Sequence, residues 1–341
     1  MRATIKDLAK AMGVNVGTIS RALNNKPGVS PDLRKKIVRK AADLSYRPNG
    51  HARGLVTQRT ETIGLLSGVE TSAFLSNPFY AGVFAGIEAE TREHNFALMF
   101  ASATPENPIA LGQLPKFIVE HRVDGLLVVG AVEPTVVTLL KSFRYPFVMV
   151  DYHLTDETVD TVVTNNARGG RAMAEHLIQL GHRHIGFVGG SPLDRGNFGE
   201  RLQGYREALD AANIPYRREL VHGTAIVSGF DSVIHILNAA PEVTALVACN
   251  DANALAAMGA LRARKLDVPK DISIIGFDDI PSSAESWPPL TTMRVDKWAM
   301  GRKAAQRLLQ KLVEGEASAP HQIVFSADLV PRGSTAAPRK S

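Results

Sequence analysis

Apolar residues recur at helical spacing near the start of the chain and switch, from Thr62 onward, to short unbroken runs. Ile5, Leu8, Ala9 and Met12 share one helical face. Thr4 stands where an N-cap belongs, with Asp7 three residues on, a variant of the capping box. Gly13 supplies the left-handed residue that ends such a helix. Asn15 then caps a second helix over about Val16 to Leu23. Asn24 to Gly28 is a loop by its turn residues, and Ser30-Pro31 starts a third helix. In that helix Leu33, Ile37, Ala41 and Leu44 face inward and Arg34, Lys35, Arg39 and Lys40 outward. Two short helices joined at a glycine, with a third behind them, predict a helix-turn-helix headpiece.

From Thr62 the runs 62–66, 97–100, 125–129 and 147–150 read as strands buried on both faces, separated by amphipathic stretches at about 78–94, 109–121 and 134–142. A second set follows at 185–188, 245–248 and 272–277. Strand–helix alternation predicts parallel sheets with helices on both faces, so the core should be α/β with two Rossmann-like lobes and a cleft between them. Ligands of open α/β sheets bind beyond the carboxyl ends of the strands. Polar groups and aromatics collect there: Asn77 to Tyr80, Asp151, Asn165-Asn166, Arg195 to Arg201, Asn250-Asp251 and Asp278-Asp279. Carboxylates accept from hydroxyls, arginine donates in a fork and aromatic rings cover apolar faces, which suits a polyhydroxylated ligand.

Composition adds a division of charge. The chain has 341 residues, too many for one compact core, and a formal charge of +5. Through residue 60 there are thirteen Lys and Arg but only Asp7, Asp32 and Asp43, which gives +10 there and about −5 on the remainder. A basic module on a mildly acidic body reads as a polyanion-binding head. No run of about eighteen apolar residues would span a membrane. The opening residues carry no apolar leader, and the single Cys249 can form no internal disulfide. A cytoplasmic, nucleoid-associated protein is expected.

Several features invite enzymatic or cofactor readings and support none. Asp278 and Asp279 are adjacent on an extended segment, so their side chains diverge and would not flank one bond. His182 and His184 lack a third metal ligand. Gly189-Gly190 is not a dinucleotide fingerprint. No cofactor, metal or catalytic residue is expected. A glycoside-processing enzyme and a sugar-transport component are the rival classes; the second would have no use for residues 1–60.

The order of motifs resembles the LacI/GalR family of transcription regulators along nearly the whole chain. Thr4 to Ala9, Gly13 to Asn24 and Tyr46-Arg47-Pro48-Asn49 look like its headpiece. His176 to Arg183, Arg201 to Tyr205, Gly276 to Ile280, Pro289 to Thr292 and Pro331 to Thr335 look like its core. The resemblance implies a headpiece at 1–48, a hinge at 49–60 and a core at 61–341 with the fold of periplasmic sugar-binding proteins. One lobe would take about 61–161 and 293–325 and the other about 162–292 and 326–341, with crossovers near Thr161, Thr292 and Ser326.

It also implies that the second helix enters the major groove, with Val16, Gly17 and Arg21 at the reading positions. Arginine can fork onto a guanine edge and valine can meet a thymine methyl, whereas Gly17 has no side chain to read with. Asn15, Thr18 and Ser20 suit phosphates or capping. Thr4, Asn24, Tyr46 and Asn49 complete the DNA-facing set of the headpiece. In the hinge, His51, Ala52 and Arg53 precede Leu55, which takes the place of the family's minor-groove wedge. Effector contacts are expected from Phe79, Tyr80, Asp151, Asn165, Arg195, Asn197, Arg201, Asn250 and Asp278. The alternative for Arg201 and Asp278 is a structural ion pair across the cleft. The expected partners are pseudo-palindromic operator DNA, a small sugar-like effector or a purine corepressor, and a second copy of the chain. The tail from Ser334 holds no leucine heptad, so a dimer is expected and not a tail-bundled tetramer.

Overall fold

The computed structural model describes residues 3–23, 25–46, 59–68, 70–103, 114–152, 158–191, 196–223, 228–314 and 319–339. The chain forms two compact units, Met1–Glu61 and Thr62–Ser341.

The first unit is three helices, α1 (Ile5–Met12), α2 (Val16–Leu23) and α3 (Pro31–Asp43). Leu8, Ile19 and Ile37, one from each helix, are fully buried together. The caps are those the sequence requires. Thr4 and Asp7 form a reciprocal capping box, and Gly13 takes φ 64° at the end of α1. Asn15 Oδ1 accepts from Thr18 N at 2.7 Å, starting α2. One expectation fails. Arg34 does not point outward from α3: its guanidinium donates to Ala22 O at 3.2 Å, Asn25 Oδ1 at 2.6 Å and Lys26 O at 2.7 Å. A fork of donors satisfies the carbonyls left open at the end of α2, which a helical period cannot reveal.

The second unit holds two six-stranded sheets. The first contains β1 (Thr62–Ser67), β2 (Ala97–Ser102), β3 (Gly125–Val129), β4 (Phe147–Val150), β5 (Asp160–Thr164) and β11 (Gln322–Phe325) in the order β11-β5-β4-β3-β1-β2, all parallel. The second contains β6 (Ile185–Val188), β7 (Val221–His222), β8 (Ala245–Ala248), β9 (Ser273–Asp278), β10 (Thr291–Arg294) and β12 (Asp328–Val330) in the order β12-β10-β9-β8-β6-β7. Only β12 runs antiparallel to its neighbour. Both lobes therefore repeat one doubly wound order, which puts binding crevices at the carboxyl edges.

Helices α4 (Thr71–Ser76), α5 (Pro78–Glu93), α6 (Lys116–Val119), α7 (Pro134–Ser142) and α13 (Lys297–Glu314) accompany the first sheet. The second has α8 (Asn166–Gln179), α9 (Asn197–Ala211), α10 (Gly229–Ala239), α11 (Asp251–Ala263) and α12 (Pro281–Glu285). Strands β3 and β4 are buried on both faces, as their valine- and leucine-rich runs require. β2 is not: it is an edge strand and only half-buried, so the reading of 97–100 as a strand buried on both faces is corrected. The stretch expected to be helical over 109–121 shows helix only at Lys116–Val119 among the described residues.

The crossovers also shift. Thr161 lies inside β5 and Thr292 inside β10, so the chain leaves the first sheet after Thr164 and the second after Arg294. These strands are buried through polar residues. Thr161, Thr164, Thr291 and Thr292 are all buried, and Thr292 Oγ1 bonds the buried Asp251. An apolar-run search passes over them. The third crossing, at Ser326-Ala327, separates β11 from β12.

Candidate DNA-reading and effector sites

On α2, Ile19 and Ala22 face the headpiece core while Val16, Gly17 and Arg21 are exposed one turn apart on the opposite side. Val16 is 40% exposed, so its side chain is accessible from outside the headpiece core. Asn15 and Thr18 bond each other at 3.0 Å through their side chains, so their polar atoms order the start of the helix. The Thr4 hydroxyl donates to Asp7 Oδ2 at 2.7 Å. Tyr46 is half-buried against the headpiece core, and burial raises its pKa. Asn24, Asn49, His51, Ala52, Arg53 and Leu55, and Arg195 of the core, lie outside the described residues.

In the core a chain of polar side chains joins the carboxyl edges of the two sheets. Asn77 caps α5 through Phe79 N at 2.9 Å, which sets Phe79 and Tyr80 in its first turn. Phe74 stacks on Tyr80 with ring centroids 5.2 Å apart, and Phe79 meets Tyr80 edge-on at 5.4 Å. The Tyr80 hydroxyl and the Asp151 carboxyl influence one another's ionisation, and Asp151 follows β4 in a left-handed conformation at φ 57°. From the other lobe Asn197 Nδ2 donates to Asp151 O at 2.9 Å and to its Oδ1 at 3.0 Å. Asn166 Nδ2 in turn donates to Asn197 Oδ1 at 3.3 Å. Arg201 Nε donates to Asn166 Oδ1 at 2.9 Å and Nη1 to Cys249 O at 2.5 Å, while Nη2 lies 3.7 Å from Asp278 Oδ1. The guanidinium sits over the Phe277 ring at 3.7 Å from its centroid.

Burial pushes the carboxyls of Asp151 and Asp278 up to about 7, and Arg201 only partly opposes the shift in each. Burial also raises the Tyr80 hydroxyl, with Asp151 and Asp278 acting in the same direction. Two acids, a tyrosine hydroxyl and a fixed guanidinium can exchange hydrogen bonds with a neutral polyol, and the aromatic wall of Phe74, Phe79 and Tyr80 can cover its apolar face.

Sequence expectations are partly redistributed. Arg201 and Asp278 pair, but both belong to the second lobe, so the pair does not cross the cleft; Asp151 with Asn197 does. Asn165 Oδ1 caps α8 through Arg168 N at 3.1 Å, and its neighbour Asn166 enters the polar chain instead. Asn250 Oδ1 caps α11, accepting from Asn253 N at 2.9 Å. Asp278 and Asp279 diverge: Asp279 pairs with Arg294 and Arg332, each at 2.6 Å. Two aromatic residues of the site, Phe74 and Phe277, are absent from the sequence expectations. The signal for Phe277 is its place at the end of an apolar run beside Asp278, while Phe74 lies on a helix, α4, that the periodicity does not show. His182 holds Thr244 Oγ1 and Ala336 O, each at 2.9 Å, and so serves packing of the C-terminal tail.

Residues 4–49 match the description "Bacterial regulatory proteins, lacI family" and residues 174–335 a "Periplasmic binding protein-like domain". The HTH-type transcriptional regulator CelR of Thermobifida fusca is 35% identical over 338 residues, covering 98% of each chain. The chain belongs to the LacI family of bacterial regulatory proteins. Its members are DNA-binding transcription regulators and not enzymes. The repressor PurR of Actinobacillus pleuropneumoniae is 32% identical over 336 residues, covering 97% of this chain and 98% of its own. Among solved structures, a lac repressor dimer bound to operator and the anti-inducer ONPF aligns at 25% identity with a TM-score of 0.84, covering 99% of this chain and 100% of that one. A CelR–cellobiose complex aligns at 30% identity with a TM-score of 0.73, covering 98% and 100%. The helical headpiece and the two parallel-sheet lobes are thus the family fold. Among the described residues no helix is long and apolar enough to cross a membrane.

Proposed function

We propose that this LacI-family regulator is a repressor that binds a pseudo-palindromic operator as a homodimer and is released by a sugar or sugar derivative in the interlobe cleft. The observation that carries the effector class is the hydrogen-bonded chain Asp151–Asn197–Asn166–Arg201 beside an aromatic wall that includes Tyr80. Phe79, Asp278 and Arg195 join this site, with Asn165 and Asn250 holding helix starts beside it. On the DNA side Val16 and Arg21 read bases, the polar residues around them meet phosphates, and paired Leu55 residues wedge the central minor-groove step. The regulator works in the cytoplasm, at the nucleoid.

Operator selection from random duplexes, followed by titration with a panel of sugars and nucleobases, tests this reading. A palindromic site released by a sugar is the expected result. Tighter binding with a purine nucleobase would instead favour the purine-corepressor reading. Binding that no small molecule alters would refute effector control.

A further inference from the structure

We infer that Lys297 is a positioning residue: it fixes the main chain of Asp278 to the first lobe and so couples the effector cleft to the angle between lobes. The inference rests on the cleft being the effector site and adds the residue through which occupancy is transmitted.

Lys297 is the first residue of α13, immediately after the second crossover. It is half-buried, and its hydrogen bonds go to main-chain carbonyls. Its Nζ donates to the carbonyls of Asp278, of Asp279 at 3.1 Å and of Val295 at 3.3 Å. An ammonium has three donors, and here three carbonyls take them. Two of those carbonyls converge because their residues are left-handed, Asp278 at φ 110° and Asp279 at φ 52°. Such consecutive positive φ values at non-glycine residues persist only where the surroundings hold them, and the lysine is placed to do so.

The stem of Lys297 is equally constrained. A Cβ at Gly82 of α5 would stand 3.0 Å from Lys297 Cβ and 3.4 Å from its Cδ. The glycine therefore leaves a flat track along which the lysine runs to reach the second lobe. The same α5 begins with Phe79 and Tyr80, three and two residues before that track. Ligand contact at the Asp278 carboxylate and ligand contact at Tyr80 thus meet at one side chain. A ligand that reorients the Asp278 peptide must move α13 with it or break the bonds from Lys297 to the carbonyls of Asp278 and Asp279.

The first test is made on the protein without ligand. Spin labels are placed on exposed sites of the two lobes through Thr138→Cys and Asp210→Cys, with the fully buried Cys249 left in place. The expected result is one narrow distance distribution in the parent and a broadened or displaced one in Lys297→Met, which keeps the stem and removes the ammonium. Gly82→Ala, which presses on the stem without touching the charge, should give a similar shift, and it stands in should Lys297→Met fail to fold. Unchanged distributions in the folded variants would overturn the inference. With a sugar that releases the parent from its operator, Lys297→Met should also reduce the effector's factor on operator affinity by about tenfold, and retention of the parent's factor would likewise overturn it. Failure of every ligand on the parent protein would count against the effector reading alone, because the label distances decide the role of Lys297 independently.

Discussion

Asp151 and Asp278 are the residues whose chemistry is furthest from ordinary. Each is buried, with its pKa raised from 3.8 to about 7. The folded core therefore binds more protons than the unfolded chain between about pH 4 and 7. Their contribution to stability is intact below that window and is lost as pH rises through it. Ligand hydroxyls that donate to these carboxyls favour the ionised form, so binding should release protons and tighten from pH 6 to pH 8. The limit is about tenfold per pH unit for each proton released. Calorimetry in buffers of different ionisation heat measures the release directly; an affinity that falls as pH rises would show that the ligand uses the neutral acids, and a pH-independent one that binding is not linked to them. At the other end of the chain, the exposed Arg21 has the reach to fork onto a guanine. Arg21→Ala should cost about 1–3 kcal/mol at the cognate base pair and relax preference there. Competition between single-base operator variants reads this, and an unchanged preference would remove Arg21 from the reading set.

At the scale of elements, α2 is held at both ends by side chains. Asn15 starts it and Arg34 closes it. Arg34→Ala should destabilise the headpiece by about 1.5–3 kcal/mol, since a charged fork is removed from three acceptors. Because that fork faces protein, the slope of operator affinity against salt should stay that of the parent. A shallower slope would mean that Arg34 meets a phosphate after all. The same elements show what a sequence discloses. The three headpiece helices are legible because their caps are local: Thr4 with Asp7, Gly13, Asn15, Ser30. The central strands are legible because burial on both faces demands apolar runs. β5 and β10 are not, because they bury threonines where an apolar run is sought; in β10, Thr292 Oγ1 bonds Asp251 and Thr291 N donates to Ser334 Oγ, both far along the chain. In the cleft, residue types and approximate places are readable, but Asn165 and Asn166 differ by one position, and only the helix start decides which one caps and which one joins the polar chain. Lys297 has no signal at all, because its partners are main-chain carbonyls.

At the scale of the molecule, α5 and α13 run side by side in the same direction. Gly86 of α5 lets the main chain of Trp298 approach, and Gly301 of α13 does the same for Val83. Farther along, Arg302 pairs with the buried Glu90, and Lys311 reaches Asp160 at the amino-terminal end of β5. An 18-residue helix spans about 27 Å, so α13 carries a displacement from the cleft edge of the first sheet to the edge where the chain enters it at Thr62. The segment proposed as the hinge, residues 49–60, precedes that entry in the sequence. Leu55→Ala should therefore lose operator affinity while leaving effector affinity of the free core at the parent value. Fluorescence anisotropy for DNA and calorimetry for the effector separate the two, and equal operator affinity would remove the wedge from the mechanism.

The strands β11 and β12 have a consequence for how the protein is made. Each completes one sheet, β11 by covering β5 and β12 by covering β10, and both come from the last twenty or so residues. While the ribosome is still adding Gln322 to Val330, two sheets with formed cores each present a bare edge rich in threonine, valine and methionine. An open edge of that kind pairs readily with another nascent chain. Ser334 Oγ donates to Ile274 O and accepts from Thr291 N, so the second lobe is sealed only after β12 has been made. Products that end before Gln322 would thus be adhesive rather than merely inactive, and the yield in a cell should depend on how promptly translation runs through the codons of β11 and β12.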